Sequence, residues 1–155
     1  MTPAIRHVEK AQLPFEVRAY PHDPRTESYG VEAATRLGVP PEWVFKTLIV
    51  KLESQELLVT MLPVHLSLDL KRVAAVAHAK RAEMATVIEA ERATGYVVGG
   101  ISPLGQRKQL RTLIDESILS LDRAYFSAGR RGLELVMHPS DLIRLCAATV
   151  APITR

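Results

Sequence analysis

At 155 residues, 47% of them hydrophobic, the chain is the size of one ordinary domain with ample apolar material for a single core, and residues 1–155 are expected to form one unit. The net charge of +3, from 20 basic and 17 acidic side chains, is a mild bias and not a nucleic-acid signature. A single cysteine, Cys146, excludes an internal disulfide and a multi-cysteine zinc site; no apolar run reaches membrane-spanning length and the N-terminus lacks a signal-peptide core, so a soluble cytoplasmic protein is expected.

Thr2 followed by Pro3 is a helix start, with threonine as cap and proline in the first turn, and the helix is expected to reach about Gln12. Phe15 to Tyr20 alternates apolar and polar residues, so it reads as a strand with Tyr20 on the Glu16/Arg18 face. Tyr29 to Leu37 has helical spacing, stopped by Gly38 and the Pro40-Pro41 pair. Val44 to Leu52 is apolar on both faces, the mark of an interior strand, and Leu57 to Leu62 reads as its antiparallel partner across Glu53-Ser54-Gln55-Glu56. A helix is expected over Leu68 to Val76, and another from Thr86, with Glu89 at capping-box spacing, to Gly95. Leu110 to Asp115, Ala124 to Ser127 and Leu133 to Val136 are predicted strands, the last two joined by Gly129-Arg130-Arg131-Gly132. A final helix starts near Pro139 with Leu142, Ile143, Leu145 and Cys146 inward. Hairpins mixed with irregularly placed helices make the fold class α+β.

Lys46 stands out because strand alternation puts it in a row with Val44, Leu48 and Val50, a face otherwise chosen for burial. An unpaired ammonium there has to snorkel, pair or face a pocket, and periodicity leaves these open. Three glycines and a proline interrupt the apolar run Tyr96-Val97-Val98-Gly99-Gly100-Ile101-Ser102-Pro103-Leu104-Gly105, as a rim of backbone donors requires and as a tight packed turn also allows. Basic pairs at Arg107-Lys108 and Arg130-Arg131 flank the glycine-rich elements. On one shared face they make a phosphate-attracting surface; singly they are solvated loop charge.

Tyr20, Phe45-Lys46-Thr47, the Gly-Gly-Ile-Ser-Pro-Leu-Gly loop and Ser127-Ala128-Gly129-Arg130-Arg131-Gly132 together resemble the YbaK-type family of trans-editing aminoacyl-tRNA deacylases, relatives of the editing domain of bacterial prolyl-tRNA synthetases. The resemblance implies a mixed, largely antiparallel, barrel-like sheet surrounded by helices. It implies that Lys46 holds a phosphate or ribose of the tRNA 3′ end, and that the amides around Gly99, Gly100 and Ile101 stabilise an oxyanion. Tyr20, Thr47, Ser102, Pro103, Ser127 and Glu134 would line the substrate site, with Glu134 where the family often has aspartate. Arg107, Lys108, Arg130 and Arg131 would meet the tRNA.

His7, His22, His65, His78 and His138 form no metal-binding spacing, no Gly-x-Ser-x-Gly elbow is present, and no metal or other cofactor is expected. Without an enzyme nucleophile, the attacking group is water or part of the substrate. By resemblance it is the substrate: the thiol of a Cys-tRNA ester attacks its own carbonyl and leaves as a thiolactone, which makes Cys-tRNA(Pro) the expected substrate. Ala- or Ser-tRNA deacylation by water, and a non-catalytic module binding tRNA or a synthetase, are the alternatives. Mischarged tRNA and prolyl-tRNA synthetase are the expected partners, with no membrane.

Overall fold

The structure, a computed structural model, describes residues 1–26 and 28–155. Helix α1 (Pro3–Ala11) begins as its cap signals predict. The Thr2 hydroxyl oxygen accepts from the Ile5 N–H, and Ala4, Ile5 and Val8 face inward. The same hydroxyl donates to the Ala128 carbonyl, fastening the helix start to a distant strand.

The spine is the antiparallel pair β2 (Phe45–Leu52) and β3 (Leu57–Pro63), in register from Phe45 opposite Pro63 to Lys51 opposite Leu57. Strand β5 (Arg111–Asp115) adds parallel to β3, and β8 (Thr149–Ala151) parallel to β5. Strand β4 (Ala82–Met84) closes the other side against β2, giving the order β4-β2-β3-β5-β8. A second sheet has the order β1-β7-β6, from β1 (Glu16–Ala19), β6 (Ala124–Arg130) and β7 (Leu133–Met137), all antiparallel. The two sheets touch through a parallel bridge between Val44 and Tyr125. The α+β class and the mixed, largely antiparallel pairing are those expected. The strands are arranged as two bridged sheets.

Helices α2 (Tyr29–Leu37), α3 (Leu70–Val76), α4 (Val87–Thr94) and α5 (Pro139–Cys146) pack around these sheets. The Thr86/Glu89 capping box is formed in full at the start of α4. The largest core cluster joins Phe45, Ile49 and Met61 of the spine to Phe126 and Leu135 of the smaller sheet, to Ile101 and Leu104 of the glycine loop, and to α1 and α5. The glycine loop is therefore part of the core.

Two short strands, β4 and β8, are absent from the sequence reading, because three residues show no periodicity. In β1 the apolar residues Val17 and Ala19 are exposed, while Arg18 is half-buried and Tyr20 buried. The inner face of this edge strand is set by its pairing to β7, where Arg18 lies opposite Glu134.

Candidate functional site

Strand β2 is paired on its outer edge only in part. β4 covers Val50 to Leu52, the Ala85 N–H donates to the Ile49 carbonyl at 3.0 Å, and pairing resumes at Val44 with Tyr125. Between these lies Thr47. Backbone polar groups two residues apart on a strand point the same way, so the Thr47 N–H and C=O face the edge to which the Ile49 carbonyl already points. The Thr47 hydroxyl oxygen is buried with no hydrogen-bond partner.

A cavity of about 360 Å³ opens at this gap, and Lys46, Thr47, Tyr20, Ser127, Glu134, Gly99 and Ile101 all line it. Seven of the site residues expected from distant parts of the sequence are thus brought to one place. Tyr29 and Gly30 of α2, Leu48, the Met84–Val87 segment and Val98 join them. The sequence reading missed these. Tyr29 and Gly30 lie within a helix-forming pattern, and Met84 belongs to a strand too short to recognise.

Lys46 is half-buried and, among the described residues, makes no ion pair. Burial lowers its pKa below the ordinary lysine value. Glu134 sits in the middle strand of the smaller sheet, in register between Ser127 and Arg18, and is 6% exposed. Its carboxyl accepts and donates no hydrogen bond within the described residues, and burial pushes its pKa up to about 8. At neutral pH it is mostly a neutral acid, able to donate a hydrogen bond into the cavity. Burial, reinforced by Glu134, pushes the Tyr20 hydroxyl to about 12, so it too remains neutral.

The glycine loop is held from several sides. Tyr96 reaches beneath it to donate from its hydroxyl to the Leu104 carbonyl at 2.7 Å. The Val98 N–H donates to Glu91 at 2.8 Å, and the Gly105 N–H donates to His7 Nδ1 at 3.0 Å. Arg131 donates from Nη2 to the Val98 carbonyl at 2.9 Å and lays its guanidinium 4.0 Å from the centre of the Tyr29 ring. Gly99 and Ile101 present the loop to the cavity, whereas Gly100, Ser102 and Pro103 are buried outside its lining. The Gly100 N–H is committed to the Val97 carbonyl at 2.9 Å. The Ser102 hydroxyl accepts from the Leu104 N–H at 3.3 Å, internal to the loop. Among the described residues, the N–H groups of Gly99 and Ile101 donate no hydrogen bond.

Of the four basic residues expected to meet tRNA, Arg107, Lys108 and Arg130 are exposed and outside the cavity. Arg131 is half-buried and tied to Val98 and Tyr29. Among the described residues no helix is long and apolar enough to cross a membrane.

Residues 23–145 match the model of the aminoacyl-tRNA editing domain family. The chain belongs to that family. It is accordingly an aminoacyl-tRNA deacylase, an editing enzyme that cleaves the ester between an amino acid and tRNA. It is 31% identical to an Enterococcus faecalis protein named "Putative Cys-tRNA(Pro)/Cys-tRNA(Cys) deacylase EbsC", over 99% of this chain and 93% of that one. A proline–tRNA ligase of a Geobacillus species is 26% identical over 88% of this chain, which corresponds to 24% of the ligase. Among solved structures, a hypothetical protein superposes with a TM-score of 0.89 at 25% identity, covering 99% of this chain and all of the other. A structure described as a putative trans-editing enzyme for prolyl-tRNA synthetase has a TM-score of 0.84 at 23% identity, covering 100% of this editing domain and 99% of that chain, and shares its fold.

Proposed function

We propose that this editing domain clears Cys-tRNA(Pro), the cysteine ester of the proline tRNA, by letting the substrate thiol attack its own carbonyl. The observation that carries this reading is the chemistry of the cavity wall. The titratable side chains there are Lys46, Glu134, Tyr20 and Tyr29, and neither Glu134 nor Tyr20 is ionised as a base at neutral pH. A cysteinyl ester carries its own nucleophile, with an ordinary thiol pKa of about 8.5.

In the proposed step the thiol loses its proton and the sulfur bonds to the ester carbonyl carbon. The amides of Gly99 and Ile101 receive the developing oxyanion, a stabilisation on the order of 3 kcal/mol per well-placed donor. The carbonyl then reforms as the bond to the ribose 3′-oxygen breaks. That oxygen takes up a proton equivalent to the one the thiol gave, leaving tRNA and a cyclic thiolactone that water later opens to cysteine. Intramolecular attack of this kind reaches effective molarities of about 10⁵ M or more in good geometry. Lys46, which makes no ion pair among the described residues, holds a phosphate or ribose oxygen of the 3′ end. Neutral Glu134 and the Thr47 main chain orient the aminoacyl group. The name of the Enterococcus relative supports cysteine as the amino acid, and the likeness to proline–tRNA ligase supports a prolyl-tRNA synthetase as partner.

A second reading is a water-dependent deacylase of alanyl- or seryl-tRNA. Glu134 favours it, because above about pH 8 this group becomes a carboxylate able to accept a proton from water. Labelled Cys-, Ala-, Ser- and Pro-tRNA(Pro), with Cys-tRNA(Cys), tested against the wild type and Lys46→Ala, separates the readings. Loss of cysteine alone, with a thiolactone intercepted by hydroxylamine and no turnover by Lys46→Ala, is the expected result. Release of alanine or serine at comparable rates overturns the thiol mechanism. Full activity in Lys46→Ala removes the lysine from it.

A further inference from the structure

Among the described residues that line the substrate cavity, Ser28, Met84, Thr86 and Val87 are the exposed ones, so they mark its mouth. Three of the four belong to one segment, which runs from the end of β4 into the start of α4. That segment is held firmly. The Ala85 N–H donates to the Ile49 carbonyl at 3.0 Å, the Thr86 N–H donates to Glu89 at 2.9 Å, and the Thr86 hydroxyl accepts from the Glu89 N–H at 3.1 Å.

With Thr86 committed to the capping box, the side chains this rim offers to an incoming ligand are those of Met84 and Val87, 45% and 57% exposed. Neither belongs to a core cluster, so burial within the chain gives no reason for apolar side chains at these two positions. The charges near them are spent on one another: Glu83 and Glu89 flank Lys51 at 3.7 and 2.9 Å. This side of the mouth therefore suits a flat apolar face and not a phosphate.

The connectivity of the substrate says which part of it arrives there. An aminoacyl ester in the cavity is carried on the 3′-oxygen of a ribose, and the same ribose carries its base on C1′. The base thus lies one sugar ring from the ester, and because tRNA ends in CCA it is adenine. We propose that Met84 and Val87 hold the adenine ring of the terminal nucleoside, with the Met84 thioether and the Val87 methyl groups packed against its face. The inference rests on the deacylase reading for its occupant. Enzymes that take a base out of its stack grip it between apolar or aromatic side chains, and a thioether makes favourable contacts with aromatic rings. The bonds of Ala85 and Thr86 fix the backbone that carries the two side chains, which lowers the cost of ordering them on binding.

The test uses two small esters, 3′-O-cysteinyl adenosine and the 3-O-cysteinyl ester of methyl riboside, which has the sugar but no base. They are compared on wild type, Met84→Ala/Val87→Ala and Met84→Leu/Val87→Ile, and binding of a 5′-labelled CCA trinucleotide is followed by fluorescence anisotropy. Wild type is expected to favour the adenosine ester by about tenfold or more in kcat/KM, the scale of one base contact. The alanine pair is expected to lose most of that preference and to bind the trinucleotide at least fivefold more weakly, while the leucine/isoleucine pair keeps both. A preference and a Kd within twofold of wild type in the alanine pair overturn the proposal, as does a wild type that cleaves both esters equally well. An unchanged preference with weakened capture by prolyl-tRNA synthetase overturns it too, and assigns the surface to a protein partner. Where wild type cleaves neither small ester, the Kd comparison decides the proposal, and cleavage of Cys-tRNA(Pro) decides the deacylase reading separately.

Discussion

Arg131 donates from Nη2 to the main-chain carbonyl of Val98 at 2.9 Å, so a residue of the β6–β7 turn fixes the loop that presents Gly99 and Ile101 to the cavity. Its guanidinium also covers the Tyr29 ring at 4.0 Å, which links α2 to the same rim. Arg131 is a positioning residue. Arg131→Lys keeps the charge but loses the planar fork and the stacking. Both Arg131→Lys and Arg131→Ala are expected to lower kcat on Cys-tRNA(Pro) by roughly a hundredfold, the scale of a 1 Å misplacement. KM is expected to stay within about threefold. A KM that rises for Arg131→Ala but not Arg131→Lys, with kcat intact, marks a simple tRNA contact instead.

Gly100 faces the same turn from the other side. A Cβ built on it would lie 2.7 Å from Arg130 Cα, a backbone atom with little freedom to move. Gly100→Ala is therefore expected to destabilise the fold by about 2 kcal/mol through overpacking, and to separate loop from turn. Urea unfolding of Gly100→Ala at constant m-value checks the first effect, and its kcat the second. An unchanged midpoint would show that the contact relaxes freely.

Tyr96 is buried beneath the loop, and its hydroxyl donates to the Leu104 carbonyl at 2.7 Å. Tyr96→Phe keeps the ring and leaves that buried carbonyl without its donor. The expected cost is about 1–2 kcal/mol of stability, read as a lower urea midpoint, because the unsatisfied acceptor is not resolvated. A midpoint equal to wild type would show that the carbonyl finds another partner.

What was legible in the sequence was local chemistry. The Thr2-Pro3 start, the Thr86/Glu89 capping box and the Gly95 stop are short-range signals, and each formed. The β2–β3 hairpin followed from two apolar runs and a polar turn. Cys146 sits, as its helical phase predicts, in the core, where burial raises its thiol to about 12. Lys46 was legible as an anomaly, a cation in an apolar row; the pattern left open whether it snorkels, pairs or faces a pocket, and the fold places it in the cavity wall. Less legible were features decided by contacts distant in sequence. The exposure of Val17 and the attachment of Arg131 to Val98 depend on which segments meet, and residue type carries no trace of that. The gap at Thr47 is a further case. It exists because β4 is three residues long and ends before covering β2.

Glu134 couples the site to stability through pH. Burial raises its folded-state pKa to about 8, against an ordinary value of 4.5. Between those values the folded protein holds a proton that the unfolded chain has released. Proton linkage then makes stability fall as pH rises, by at most about 1.4 kcal/mol per pH unit. The contribution is fully present below pH 4.5 and is lost by the time pH passes the folded value near 8. Glu134→Gln keeps the size and a hydrogen-bond donor but has no proton to release. Its Tm, followed from pH 5 to pH 9, is expected to lack the decline that wild type shows and to exceed wild type at pH 9. Parallel curves for the two proteins would mean that Glu134 is ionised in the folded state, and its place as a neutral donor to the aminoacyl group would go with it.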